Sequence, residues 1–244
     1  MPGIIELKNV SFIAQNRLIV RNFSHQFEEG KTTALVGPSG SGKSTILKLI
    51  AGLLVPNEGS IFFKDKNIYS MNRQEMLDFR REAAMVFQDS ALWANQSLLQ
   101  ILDLPLRIHF PMMPLSEREG RIQGILKEVG YRRDLSIRPS QLSMGEQKLI
   151  AFARALMCKP KMLFLDEWTE SLDESAAQRL IHLVQRHQHE ENTVILVCHD
   201  FRIVKSIADY VLMILGGQFF LKLSRKQMEE DEDLARYVER GIAS

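Results

Sequence analysis

The first stretches of the chain, Ile4–Phe12 and Leu18–Phe27, mix β-branched and aromatic residues with polar ones. They read as antiparallel strands. Thr32–Val36 is a short apolar run that enters a glycine-rich turn, and Ser44–Ala51 follows with the character of a helix. Strand, glycine loop and helix in that order open a doubly wound α/β core. Asn57-Glu58-Gly59 reads as a turn, Ile61-Phe62-Phe63 as a strand and Ala84–Phe87 as another.

The pattern then changes. From about Asp89 to Cys158 it is mostly helical, interrupted by Pro105, Pro111, Pro114 and Pro139. Ser116 with Glu119 three residues on predicts a capped helix start. The α/β rhythm returns with strands at Met162–Asp166, Thr193–Val197 and Tyr210–Leu215. Helices at Glu174–Gln188 and Phe201–Ala208 separate them, and a last helix is expected from about Arg225 to Arg240. Strands this apolar on both faces suit a parallel sheet covered by helices. The expectation is one domain over 1–244: an α/β core from 1–88 and 159–244, and a helical subdomain over 89–158. No internal repeat or low-complexity linker interrupts it.

Composition narrows the classes. The 244 residues carry 31 Lys and Arg against 30 Asp and Glu, a net charge of +1. That balance lacks the basic footprint of nucleic-acid binders, so none is expected as a partner. Cys158 and Cys198 fall in different predicted elements without CxxC spacing, which predicts two buried, reduced thiols in a cytosolic protein. The N-terminal residues show no basic n-region and no long apolar stretch, so no signal peptide is expected. The longest apolar runs, Val194–Cys198 and Val211–Leu215, fall far short of the roughly 20 residues of a membrane helix. Membrane contact is therefore expected only through a partner.

Gly37-Pro38-Ser39-Gly40-Ser41-Gly42-Lys43-Ser44-Thr45 matches the phosphate-binding pattern G-x-x-x-x-G-K-[ST] in full. Glycines let backbone N–H groups curl around phosphate oxygens, and the following helix turns its positive end to the anion. Lys43 supplies a charge to the β- and γ-phosphates, and the Ser44 hydroxyl reaches Mg2+. Leu163-Phe164-Leu165-Asp166-Glu167 is an apolar strand that ends in two carboxylates. Asp166 suits Mg2+ binding, and Glu167 is placed to polarise an attacking water.

Between these motifs lie Leu142-Ser143-Met144-Gly145-Glu146-Gln147 and Ile150-Ala151-Phe152-Ala153-Arg154-Ala155-Leu156. They resemble the LSGGQ signature of ABC ATPases and the helix that follows it. Gln88 resembles the family's Q-loop glutamine, Ser171-Leu172-Asp173 its D-loop and His199 its switch histidine. The motifs stand in the family's order over about residues 4–220. The resemblance implies an α/β P-loop NTPase core of RecA-like type, an antiparallel β subdomain and an inserted helical signature subdomain. It implies two cassettes paired head to tail around two ATP molecules. Gly37–Thr45, Gln88 and Asp166 would hold ATP from one copy, and Ser143, Met144, Gly145, Glu146 and Asp173 from the other. Ser44, Gln88 and Asp166 would hold Mg2+, while Glu167 and His199 would carry the hydrolysis.

The sequence departs from the family pattern at several positions. Met144 replaces the first signature glycine, Glu146 the usual glutamine, and Trp168 the usual proline. Ala14 occupies the position, by spacing, of the usual adenine-stacking aromatic. Phe12, on the same side of a strand, is the candidate substitute. These changes bear on affinity and base selectivity and leave the phosphate machinery intact.

Other features read more plainly. His187-Gln188-His189-Glu190-Glu191 has metal-ligand residue types but falls where a solvated helix end is expected. The acidic run Glu229–Asp233 is expected to open the last helix. One phenylalanine of each pair, Phe62-Phe63 and Phe219-Phe220, is expected to pack inward. Leu92, Trp93, Leu98 and Leu99 are expected to form an apolar surface.

A transporter ATPase is the leading function: a cytoplasmic subunit, peripheral on the cytoplasmic side of the inner membrane, that drives a separate integral permease. Soluble ABC proteins of translation or DNA repair remain an alternative, although the chain has one cassette and no long insertion. A small-molecule kinase would leave Leu142–Gln147 unexplained. Phe87–Trp93, Leu104-Pro105-Leu106-Arg107 and Ser206-Ile207-Ala208-Asp209 are similar to the ATPases of bacterial phospholipid transporters that work with mammalian-cell-entry (MCE) proteins. Lipid transport is therefore expected, with small-solute import and lipoprotein release as alternatives.

Overall fold

A computed structural model of the chain describes residues 3–243. In chain order the elements are β1 (Gly3–Ala14), β2 (Arg17–Glu28), β3 (Thr32–Val36), α1 (Lys43–Ile50), β4 (Glu58–Phe63), β5 (Lys66–Asn67) and α2 (Arg73–Glu82). They continue with β6 (Ala83–Val86), α3 (Leu98–His109), α4 (Leu115–Val129), α5 (Met144–Leu156), β7 (Met162–Asp166) and α6 (Glu174–His189). Last come β8 (Thr193–Val197), α7 (Phe201–Ile207), β9 (Tyr210–Leu215), β10 (Gln218–Ser224), α8 (Arg225–Glu230) and α9 (Glu232–Ala243). The described residues form two compact units, one of the chain up to 76 together with the chain from 187, the other of 77–186.

The first unit holds two strand systems. β2-β1-β4-β5 is antiparallel throughout. The other follows the order β10-β9-β3-β8, with β3 parallel to β8 and β9, and β10 antiparallel at the edge. β3 and β8 are buried at every position, as two-sided coverage requires. In the second unit β6 and β7 pair in parallel, with Val86 opposite Leu165. Between them the chain is helical. Ser97 caps α3 and Ser143 caps α5, each in a capping box with Gln100 and Glu146.

Several expectations are corrected. α4 begins at Leu115 with Pro114 as N-cap at φ −58°, so Ser116 lies inside the first turn rather than at the cap. Proline's fixed φ is already set for a helix entrance. The last helix is broken at Asp231, whose backbone is extended and whose Oδ1 accepts from the N–H groups of Asp233 and Leu234. An aspartate that satisfies such donors starts a new helix rather than continuing the old one. The acidic run therefore divides between the end of α8 and the start of α9.

Phe63 packs inward as expected, but Phe219 and Phe220 are both exposed. A register shift between Phe219 and Leu221 breaks the alternation of faces there. Shifts around Phe12 likewise interrupt the alternation that would place Phe12 and Ala14 on one side. Leu98 is fully buried at the start of α3, and Cys158 is half-buried rather than buried.

The departure at Trp168 has a packing consequence. The indole is fully buried and lies 5.7 Å from the Phe152 ring, between centroids. It fills volume that a proline could not.

His25 packs edge-on against Phe27 at 4.8 Å and stacks on Phe219 at 5.9 Å. Burial, with nearby Lys222 adding to it and Glu28 opposing, pulls its pKa from 6.5 to about 4. The unfolded chain therefore binds a proton there that the folded chain refuses, and stability is lost as pH falls from about 6.5 to about 4. Urea unfolding across that window is expected to show a shallower pH slope for His25→Gln than for the parent. Equal slopes would assign the loss to other groups.

Candidate functional site

β3 delivers the chain into Gly37–Gly42, and α1 leaves it. The Lys43 ammonium folds back into the loop and donates to the carbonyls of Gly37 at 2.7 Å and Pro38 at 2.9 Å. Ser41 N–H donates to Pro38 O at 3.1 Å, and the Ser41 hydroxyl is buried with no hydrogen-bond partner among the described residues. Gly42, the N-cap of α1, offers no side-chain cap, and the first turn holds no acidic residue. A helix N-terminus with neither feature is the arrangement that attracts anions.

Two glycines in this loop differ. A Cβ on Gly37 would lie 2.1 Å from the Ile214 carbonyl oxygen, whereas one on Gly40 would meet nothing within 4 Å. Close backbone approach explains the first, and a left-handed φ of 74° the second. Ser44 and Thr45 are half-buried in the first turn of α1, and Ser39 and Gly40 are exposed. In the same unit His199 is exposed two residues beyond β8, ahead of α7, which Asp200 caps.

The second unit gathers the remaining sequence-predicted residues. Asp166, at 1% exposure, ends the fully buried β7. Glu167 follows at φ 44° and is itself buried. A non-glycine in the left-handed region costs energy that its surroundings must hold in place. Its carbonyl accepts from Glu170 N–H at 3.2 Å. Glu170 Oε2 in turn accepts from the Gln88 amide nitrogen at 3.2 Å. That bond commits the amide's N–H side to Glu170 and leaves its oxygen as an acceptor.

At the start of α5 the Ser143 hydroxyl accepts from Glu146 N–H at 3.2 Å and donates to Glu146 Oε2 at 3.1 Å. Glu146 also meets Arg133 Nη1 at 3.0 Å. The Ser143 backbone N–H, then Arg133, hold the Glu146 carboxyl below its usual pKa. The replacement of glutamine thus builds a capping box with a charged third residue. Met144 is exposed at 70%, and a Cβ on Gly145 would come 2.9 Å from the Ser171 carbonyl oxygen. Asp173 accepts from Ala176 N–H at 2.8 Å and the Ser175 hydroxyl at 2.9 Å, which lower its pKa in that order.

Sequence reasoning missed Lys148, Arg154, Glu170 and Arg133. The one signal available was a lysine, Lys148, heading an otherwise apolar run on α5. The Ser44 hydroxyl, Gln88 amide oxygen and Asp166 carboxylate are each hard oxygen donors, the chemistry that suits Mg2+.

Comparison with known proteins decides the family. The ABC transporter family matches residues 20–170. The chain belongs to the ABC transporter family of ATPases. The intermembrane phospholipid transport system ATP-binding protein MlaF of Haemophilus influenzae is 34% identical over 95% of this chain and 88% of its own length. The nickel import ATP-binding protein NikE of Shigella flexneri is 36% identical over 84% of this chain and 77% of its own. Among solved structures, the ATP-binding cassette MJ0796, dimeric and bound to ADP and Pi after hydrolysis, matches with a TM-score of 0.83. Identity there is 28%, over 91% of this chain and 98% of that one. The fold is thus the α/β P-loop cassette that the motifs imply. This ABC ATPase binds ATP and couples its hydrolysis to transport. ABC cassettes dimerise and work with membrane permease subunits. No helix among the described residues is long and apolar enough to cross a membrane.

The glycine geometry gives a graded test. Gly37→Ala must displace the β9 backbone at Ile214, whereas Gly40→Ala meets only left-handed strain, about 1–2 kcal/mol. Titration with a fluorescent ATP analogue is expected to show nucleotide affinity lost in Gly37→Ala and largely kept in Gly40→Ala. The reverse order would refute this account of the loop.

Proposed function

We propose that this ABC ATPase powers a membrane permease that moves phospholipid. The observation that carries the substrate class is its similarity to MlaF over nearly the whole chain. The similarity to NikE favours a second reading, import of a small solute.

In this reading Gly37–Thr45 grip the ATP phosphates, with Lys43 turning from the loop carbonyls to the β- and γ-oxygens. The uncapped N-terminus of α1 adds its partial positive charge. A second copy of the chain supplies Ser143, Met144, Gly145, Glu146 and Asp173 to the same nucleotide. Ser44, Gln88 and Asp166 would hold Mg2+, which would supply positive charge against the phosphates. Glu167 orients or deprotonates the attacking water, and His199 stabilises charge at the γ-phosphate. Positioning and electrostatics carry chemistry of this kind. The protein acts on the cytoplasmic side of the inner membrane, held there by the permease, and reaches an MCE-type lipid-binding protein only through it.

The substrate is tested by reconstituting the cassette in vesicles with the integral membrane subunit that co-purifies with it. ATP-dependent movement of a labelled phospholipid is the expected result. ATP-dependent uptake of nickel or another small solute, without lipid movement, would replace this reading with the second.

Two variants probe the machinery. Glu167→Gln keeps size and polarity but removes the base. It is expected to bind ATP while hydrolysis falls at least about 10²-fold, with the dimer trapped closed in size-exclusion chromatography. Normal turnover would move the role elsewhere. The permease contact is assigned to exposed apolar residues of the second unit, among them Trp93 and Leu99. Leu99→Glu is expected to keep nucleotide binding and release the permease in a pull-down. Undiminished recovery of the permease would place the docking surface elsewhere.

A further inference from the structure

We propose that Lys148 is a positioning residue for ATP hydrolysis: it fastens the loop that carries Gln88 to the helix that opens with the signature motif. The inference rests on the role given above to Gln88.

Lys148 lies on α5 and is only 3% exposed. Its ammonium donates to the backbone carbonyl of Phe87 at 3.3 Å and to that of Gln88. Six residues further along the helix, Arg154 donates to the carbonyls of Ser90 at 3.1 Å and Ala91 at 2.6 Å. One helix thus grips the same short loop at two points through charge-assisted hydrogen bonds, the stronger kind. The loop needs a grip, because Ser90 and Ala91 sit at φ 61° and 44°. Non-glycine residues hold such conformations only when their surroundings over-determine them.

Arg154 holds the strained pair, whereas Lys148 holds Gln88 itself. The Gln88 side chain reaches Glu170 Oε2, and Glu170 N–H reaches the carbonyl of Glu167. A continuous chain of hydrogen bonds therefore runs from α5 through Lys148 and Gln88 to the turn at Glu167. Burial disfavours the lysine's charge, and the carboxylates of Glu170, Asp166, Asp89 and Glu167 oppose that effect. A buried ammonium is costly unless paired and hydrogen-bonded. Its place among the carboxylates around the end of β7 marks it as more than packing. The apolar neighbours Leu149, Ile150 and Phe152 already supply the buried face of the helix.

The test uses the full chain with Lys148→Met and Lys148→Arg, read by steady-state ATPase kinetics and thermal unfolding. The Met variant keeps the aliphatic stem and deletes the donor. It is expected to melt as a folded protein, with kcat down about 10- to 10²-fold, the scale on which misplaced groups cost rate. KM for ATP is expected to change little, and the conservative Lys148→Arg to restore kcat toward the parent. If Lys148→Met fails to fold, Lys148→Leu, which also lacks a donor, is judged by the same criteria. A folded variant without the donor that keeps parental kcat overturns the proposal. So does a joint loss of kcat and ATP affinity that Lys148→Arg cannot repair, which would mean packing alone. Gln88→Ala separates the two levels. Parental turnover there would sink the role of Gln88, whereas slow Gln88→Ala beside fast Lys148→Met would sink only this inference.

Discussion

A triphosphate is gripped by backbone N–H groups, and these must be left uncovered by side chains while the backbone itself stays fixed. The first unit meets both demands at one contact. Gly37 lies so close to the Ile214 carbonyl on β9 that not even a methyl group fits. The order β10-β9-β3-β8 is what sets β9 beside β3 and so presents Ile214 to the loop. The Thr33–Val36 pairing with Tyr210–Met213 thus sets the loop entrance. The helix leaving the loop carries no cap that would compete with an anion. Lys43, bonded meanwhile to two loop carbonyls, keeps its charge solvated by peptide dipoles rather than by water.

The second unit solves a different problem, that of holding carboxylates and a strained loop in place. Here the cross-braces are side chain to backbone. Lys148 and Arg154 bind carbonyls, Gln88 binds Glu170, and Ser143 with Glu146 closes the entrance of α5. Exposed ion pairs such as Arg133 with Glu146 contribute little by themselves. They matter because the partner atoms also end a helix.

The readable part of the sequence was that in which chemistry restricts residue type. Glycines, lysine and serine around a phosphate, or a buried apolar strand ending in Asp166, admit few alternatives, and the family motifs followed from them. Details that depend on one residue of register were less readable. A single shift at Phe219 exposes two phenylalanines that strict alternation would have split. Pro114 took the helix entrance from a serine two residues on, and Asp231 split a helix whose acidic composition looked continuous. Lys148 stood out as a charge at the head of an apolar run, but its contacts were unreadable for another reason. Its partners are peptide carbonyls, present at every position, and composition does not label which of them a lysine will meet.

The backbone at Glu167 carries an implication for engineering. Its left-handed φ is one that glycine or asparagine adopts at lower cost. A search for thermostable variants that scores only folding would therefore favour replacing this residue, and would discard a carboxylate in doing so. Local frustration of this sort is a common signature of positions selected for work rather than for cohesion. Under the role proposed for Glu167, stability-guided redesign of this cassette has to exempt the position.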